Sequence, residues 1–257
     1  MSATSQKTSA KHKATDQRRL ACGDCAIRDR AVCSLCSTEE MATLEAIKHY
    51  RRFEAGATIA MAGEPLPFVG SVVEGHVALT RMMSDGRRQI VGLLFPSDFI
   101  GRPLRETIAY DAEAVDDVLL CTFDRVRFEW LLRRTPPLEE RLLEMTLDEL
   151  DAARETLLTL GRRTAREKVA NFLVMVARRQ GIGAVAPTER VEIVLPLGRD
   201  DMAGFLGLTI ETVSRQMTAL RREGLIDMVN GAREVTLVNT DTLAEIAGED
   251  GDGGPLA

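Results

Sequence analysis

The sequence predicts an α+β chain: a glycine-punctuated β-roll (jelly roll) first, one long helix next, and a winged helix-turn-helix last. Three observations carry this. Between Arg51 and about Asp124, short β-rich runs alternate with Gly56, Gly63, Gly70, Gly75, Gly86, Gly92 and Gly101. After Pro136-Pro137 a leucine repeat starts at helical spacing. Near the C-terminus two amphipathic segments meet at Gly207. A chain of 257 residues has room for about two domains, and 45% hydrophobic residues can supply both with cores.

The chain opens on residues 1–20, rich in Lys, Ser and Thr and poor in apolar side chains, which predicts disorder. No stretch resembles the apolar core of a signal peptide, and no run reaches the roughly 18 apolar residues that cross a membrane. A cytoplasmic protein without a membrane partner is expected. Thiols stay reduced there, and five cysteines, an odd number, do not make a disulfide framework. Four of them crowd together as Cys22, Cys25, Cys33 and Cys36, spaced C-x2-C-x7-C-x2-C, while Cys121 stands alone. Clustered soft thiolates select zinc, Cu(I) or an iron–sulfur cluster over hard cations. A helix is expected next, from Glu39 to Tyr50.

Within the roll, strands such as Val69 to Leu79 and Gln89 to Phe95 are expected, joined through the turn Ser84-Asp85-Gly86. The long helix should start near Leu138 and run to about Gly161. Leu143, Leu147, Leu150, Leu157 and Leu160 lie at 3-4 spacing, with Ala153 completing the stripe. A stripe of this kind serves either core packing or a two-helix seam. Its place between two domains, with polar residues on the other faces, favours a homodimer seam. A second amphipathic helix, Ala165 to Arg179, opens the C-terminal domain.

A net charge of −6 looks wrong for a nucleic-acid binder, yet net charge governs solubility rather than local patches. Arginines recur in the C-terminal half, from Arg154 to Arg222. There, a strand at Val191 to Leu195 precedes the segment Arg199 to Arg215. Small Ala203 allows close helix approach, Gly207 suits a left-handed turn, and Thr209 can cap the next helix. In that helix Val213, Met217 and Leu220 share one face, while Glu211, Ser214, Arg215, Thr218 and Arg222 share the other. That polar face is either plain solvated surface or a reader of double-stranded DNA. Arg215 can bond guanine O6 and N7, and Glu211 can accept from cytosine N4. A strand from Glu234 to Val238 supplies the wing and favours DNA.

A β-roll, a long helix and the run Leu206-Gly-Leu-Thr-Ile-Glu-Thr-Val-Ser-Arg215 together resemble the Crp/Fnr family of bacterial transcription regulators. The likeness covers about residues 20–247 and implies a cyclic-nucleotide-binding-like roll. Within the family, Glu211, Ser214 and Arg215 match the Fnr branch. That match implies a palindromic TTGAT-N4-ATCAA-type promoter site, contacted by Thr209, Glu211, Thr212, Ser214 and Arg215. The roll's loop Ser84 to Arg88 would, by the same resemblance, touch RNA polymerase.

Relatives that bind a cyclic nucleotide carry a Gly-Glu pair and an Arg-Ser or Arg-Thr pair in the roll. This chain has Gly101-Arg102-Pro103 and Tyr110-Asp111 there, and an aspartate repels phosphate. No cyclic nucleotide is expected. The cysteines instead resemble the oxygen-sensing branch of the Fnr, FnrL and FnrN type. That resemblance implies a [4Fe–4S] cluster on Cys22, Cys25, Cys33 and Cys121, leaving Cys36 a spare thiol or an alternate ligand. The cluster would tie the N-terminal segment to the roll and hold the helix dimer-competent until oxygen converts or removes it. The rivals are a zinc knuckle on Cys22, Cys25, Cys33 and Cys36, a haem on His76, otherwise a surface residue, and an electron-transfer protein. Only His12, His49 and His76 are present, without a nucleophile motif, so no enzyme is expected.

The expected division is then a disordered N-terminus (1–20), a cluster-binding segment with the sensor roll (21–137), a dimerisation helix (138–163), a winged helix-turn-helix (164–247) and a disordered acidic tail (248–257).

Overall fold

The computed structural model describes residues 21–181, 190–229 and 231–248. The disorder expected for 1–20 and for the tail beyond Gly248 lies outside the described residues. The chain enters through the cysteine segment and a short helix α1, Thr38–Ile47, whose first turn is closed by a capping box between Ser37 and Glu40. This helix stops three residues before the expected Tyr50. Lys48–Phe53 instead forms strand β1 and pairs with the strand that holds Cys121, so long-range sheet pairing overrides the local helical pattern.

The roll consists of two four-stranded antiparallel sheets. One has the order β1-β8-β3-β6, with β3 Phe68–Glu74, β6 Phe99–Ile100 and β8 Val118–Asp124. The other has the order β2-β7-β4-β5, with β2 Thr58–Ala60, β4 Val77–Met82, β5 Arg88–Leu94 and β7 Asp111–Ala114. The single strand expected over Val69 to Leu79 is two. Gly75, at φ 80°, breaks it, and an added Cβ there would lie 2.4 Å from the Asp117 carbonyl oxygen. The turn at Ser84-Asp85-Gly86 does join β4 to β5, with Gly86 at φ 87°.

Alternation sends Val72, Leu120, Val77 and Leu79 into the space between the sheets. Both outer faces are covered as well. Val69, Val73, Leu119 and Phe123 pack beneath the cysteine segment and its neighbouring helices. Ala78, Ile90 and Phe95 pack against the C-terminal domain. This double burial explains why β8 reads as a nearly unbroken apolar run.

After β8 an unforeseen helix, α2 Arg125–Leu132, is capped by Asp124, whose carboxylate accepts from the Arg127 backbone N–H at 2.9 Å. The long helix α3 spans Pro136–Arg162 and opens on the two prolines rather than after them, since proline fits the first helical turn. Leu138, Leu142 and Met145 seat its start against α2 and the roll.

The C-terminal domain follows: α4 Ala165–Arg179, β9 Val191–Val194, α5 Arg199–Leu206, α6 Ile210–Arg222, β10 Ile226–Asp227, β11 Glu234–Leu237 and α7 Thr240–Ala247. Strands β10, β11 and β9 form a three-stranded antiparallel sheet. Helix α7, which closes the domain against α4, has no counterpart in the sequence expectations. Among the described residues no helix is long and apolar enough to cross a membrane.

Candidate metal centre and nucleic-acid interface

The cysteine segment is a chain of tight turns around a short 3₁₀ helix, Cys22–Asp24, tied by bonds such as Cys36 N–H to the Cys33 carbonyl at 3.1 Å. Ile27, Ala31 and Val32 turn inward and press the segment onto the outer face of the first sheet. This docking brings Cys22, Cys25 and Cys33 to Cys121, which pairs with Tyr50 of β1 and Ser71 of β3 in the middle of the sheet. Cys22, Cys33 and Cys121 touch one buried cluster, and Cys25, Cys33 and Cys121 the adjoining one.

Electrostatics report the same grouping. Burial pushes the Cys121 thiol up to about 12, reinforced by the like charges of Cys22, Cys25 and Cys33. Burial also raises Cys33, again with Cys25 and Cys22 contributing. Cys36 differs: it is buried in the core, its thiol is pushed up to about 11 first by burial, and of the other cysteines only Cys33 bears on it. It is a packed thiol, a buried member of the same cluster that Cys22, Cys33 and Cys121 pack against.

Soft thiolates of this kind can hold either a zinc ion or an iron–sulfur cluster. Among the described residues, no three Cys, His, Asp or Glu side chains group closely enough to hold one metal ion. Around a lone zinc, bonds of about 2.3 Å draw four sulfurs to within roughly 4 Å of each other. A [4Fe–4S] cube has each thiolate on a different iron, so its ligands stand wider apart. The hydroxyl of Ser71, side by side with Cys121, is buried without a hydrogen-bond partner. A sulfur-rich group at this site would offer it an acceptor. The strand is unusually close here: a Cβ on Gly70 would lie 2.3 Å from the Cys121 carbonyl oxygen.

Sequence reasoning missed Lys48. Its Nζ donates to Cys22 Sγ at 3.2 Å and to Glu45 Oε1 at 3.1 Å, and its side chain is only 7% exposed. Glu45 also accepts from the Cys22 backbone N–H at 3.3 Å. Nothing local marks this lysine, because it reaches the site only when β1 pairs with β8.

His76 is not the surface residue expected. Its ring Nδ1 lies 2.7 Å from Asp116 Oδ2, stacks edge-on against Phe95 and is 16% exposed. Burial pushes the Asp116 carboxyl up, but hydrogen bonds from the His76 ring and backbone outweigh this and hold it below its ordinary value. At the second nucleotide-recognition position, Asp111 accepts from the Ala62 N–H at 2.8 Å. No arginine adjoins Asp111 in sequence, but the fold brings Arg81 to the neighbouring Ala109 carbonyl at 2.5 Å. In the loop Ser84 to Arg88, Arg87 pairs with Asp85, and Arg88 bridges Glu113 and Asp201 of the C-terminal domain.

Along α3 most of the leucine stripe is left exposed by the described residues. Leu143, Leu147, Leu150 and Leu157 are exposed, from 44% at Leu150 to 71% at Leu157, as is Ala153. Leu160 is half-buried beside Gly207.

The two helices α5 and α6 meet as the residue pattern requires. Gly207 takes the left-handed conformation at φ 61°, and Thr209 Oγ1 accepts from the Thr212 backbone N–H at 3.3 Å. Ala203 is buried, as are Val213, Met217 and Leu220. Glu211, Ser214, Arg215 and Arg222 face solvent, with Thr212 and Thr218 half-buried. A hydrogen bond from Thr209 keeps the Glu211 carboxyl below its ordinary value, so it stays an acceptor. The hairpin β10–β11 supplies the wing.

Two family models match: a cyclic nucleotide-binding domain over residues 50–135 and a Crp-like helix-turn-helix domain over 167–246. The chain is 54% identical over 234 residues to the transcriptional activator protein FnrL of Cereibacter sphaeroides, covering 91% of this chain and 94% of that protein. It is 29% identical over 231 residues to the transcriptional activator protein anr of Pseudomonas aeruginosa, covering 88% and 92% of the two. Among solved structures, FixK2 from Bradyrhizobium japonicum superposes with a TM-score of 0.70 at 33% identity, covering 81% of this chain and all of that one.

Proposed function

We propose, for a chain that belongs to the Crp/Fnr family and is an FnrL-like transcriptional activator of the Fnr branch, that its signal is oxygen read through a [4Fe–4S] cluster. Cys22, Cys25, Cys33 and Cys121 are the ligands. The observation that carries this reading is the docking of the cysteine segment onto the first sheet, which packs Cys22, Cys25 and Cys33 together with Cys121 against two adjoining buried clusters. When bound, the cluster supplies an oxygen-labile cross-link between the cysteine segment and β8.

The protein's own residues provide the rest. Cys121 lies in β8, which runs directly into α2 and then α3, so a tie at Cys121 bears on the seating of Leu138, Leu142 and Met145. A seated α3 presents Leu143, Leu147, Leu150, Ala153, Leu157 and Leu160 to a second copy. The resulting homodimer places two α6 helices on a palindrome of the TTGAT-N4-ATCAA type, where Thr209, Glu211, Thr212, Ser214 and Arg215 contact DNA. One half-site alone offers too few contacts, so loss of the dimer means loss of promoter binding.

The same reading makes the protein a cytoplasmic activator that takes no cyclic nucleotide and engages RNA polymerase through the tip of the loop Ser84 to Arg88. It divides the chain functionally into 21–137, 138–163 and 164–247. Asp111, committed to the Ala62 amide, supports the exclusion of a cyclic phosphate. The test is anaerobic iron and sulfide analysis coupled to sedimentation before and after air. Four irons and four sulfides per chain, with a dimer that dissociates in air, is the expected result. A colourless protein with one zinc and no sulfide would overturn it.

A further inference from the structure

The geometry points to Lys48 as a residue that sets how fast oxygen acts on the site, by holding a fixed positive charge against Cys22. This rests on the cluster reading above. Three observations carry it. The Lys48 ammonium donates to Cys22 Sγ at 3.2 Å, its side chain is almost wholly enclosed, and it lies on the strand whose Tyr50 pairs with Cys121. The charge is held in place by Glu45, which bonds both Lys48 and the Cys22 backbone N–H. It is therefore an oriented donor at the ligand and not a mobile surface lysine.

Net charge and hydrogen bonds to the sulfurs are among the main determinants of a cluster's potential. Four thiolates on a doubly positive core leave a site of net charge about −2. With the cluster bound, oxygen would oxidise it by accepting one electron and leaving as superoxide, and the site would become about one unit less negative. A neighbouring cation stabilises the more negative state and opposes that step, more strongly where water is excluded. Lys48 thus slows the response, and the partly exposed Glu45 carboxylate moderates it by sharing the ammonium. Lys48 is a positioning and tuning residue: it supplies no ligand.

The experiment uses the full chain, reconstituted anaerobically with iron and sulfide, as parent, Lys48→Met, Lys48→Arg and Glu45→Gln. Iron and sulfide content is measured first, then bleaching of the visible absorbance by air and by ferricyanide, then the midpoint potential. Lys48→Met should bleach about tenfold faster with both oxidants, with a potential lower by about 59 mV, the one-electron equivalent of that factor. Lys48→Arg, which keeps charge and donor, should return to the parent rate. Glu45→Gln should bleach about two- to threefold slower, because the charge is less shared. Equal rates in the parent and Lys48→Met overturn the inference. If Lys48→Met assembles no cluster, Glu45→Gln decides: bleaching at the parent rate overturns it. A parent that takes up neither iron nor sulfide defeats the cluster reading itself, a result distinct from either.

Discussion

Leu157 offers the sharpest test of the dimer seam. It is 71% exposed among the described residues of the single chain. Burying a leucine from full exposure contributes about 1.5–3 kcal/mol, so a partner helix has roughly 1–2 kcal/mol left to gain at this side chain. Two-fold symmetry counts that gain twice. Leu157→Ala should therefore weaken the dimer by about 2–4 kcal/mol, roughly 30- to 900-fold in Kd. Alanine is a better helix former than leucine, and the position is exposed, so the isolated fold keeps its stability. Sedimentation equilibrium on the anaerobic protein measures the Kd, and a melting curve checks the fold. An unchanged Kd with an unchanged Tm would refute the assignment of this stripe to the interface. A lowered Tm would instead show that Leu157 packs within its own chain.

Other outcomes follow from the same structure. Cys36→Ser should keep the anaerobic iron and sulfide content, whereas serine at Cys22, Cys25, Cys33 or Cys121 should abolish it; equal loss at Cys36 would mean that the ligand set is wrong. Arg215→Ala should lose about 1–3 kcal/mol of sequence preference per half-site, read by comparing native and mutated palindromes. If both sites weakened alike, Arg215 would contact only phosphate. Asp116 has a carboxyl held below its ordinary value by His76, so its contribution to stability is present at neutral pH and fades as pH falls below about 4, through the lowered value. Asp116→Asn should flatten the acid limb of a Tm-against-pH curve, and an unaltered limb would sink the claim.

Read locally, the sequence was most informative where the physics is short in range. The left-handed turn at Gly207, the cap at Thr209 and the buried face of Val213, Met217 and Leu220 depend on neighbours within about two helical turns, and all were legible as residue patterns. Helix α4 was legible over its full span, Ala165–Arg179, for the same reason. The boundary between α1 and β1 was not. Residues 48–50 continue a helical pattern, yet their backbone is claimed by β8, more than seventy positions away. The strand break at Gly75 likewise answers to a close approach by Asp117.

By itself, then, the sequence determined the order of a roll, a long helix and a DNA-reading domain, and the supply of soft thiolates near the N-terminus. Periodicity, capping and donor chemistry are properties of residue types and their spacing. Only the tertiary structure decided which thiol faces the core, how Ser71 and Gly70 lie against Cys121, and that a buried lysine stands at Cys22. Those relations arise from strand register and from docking of the cysteine segment onto a sheet, and no local pattern encodes a distance across paired strands.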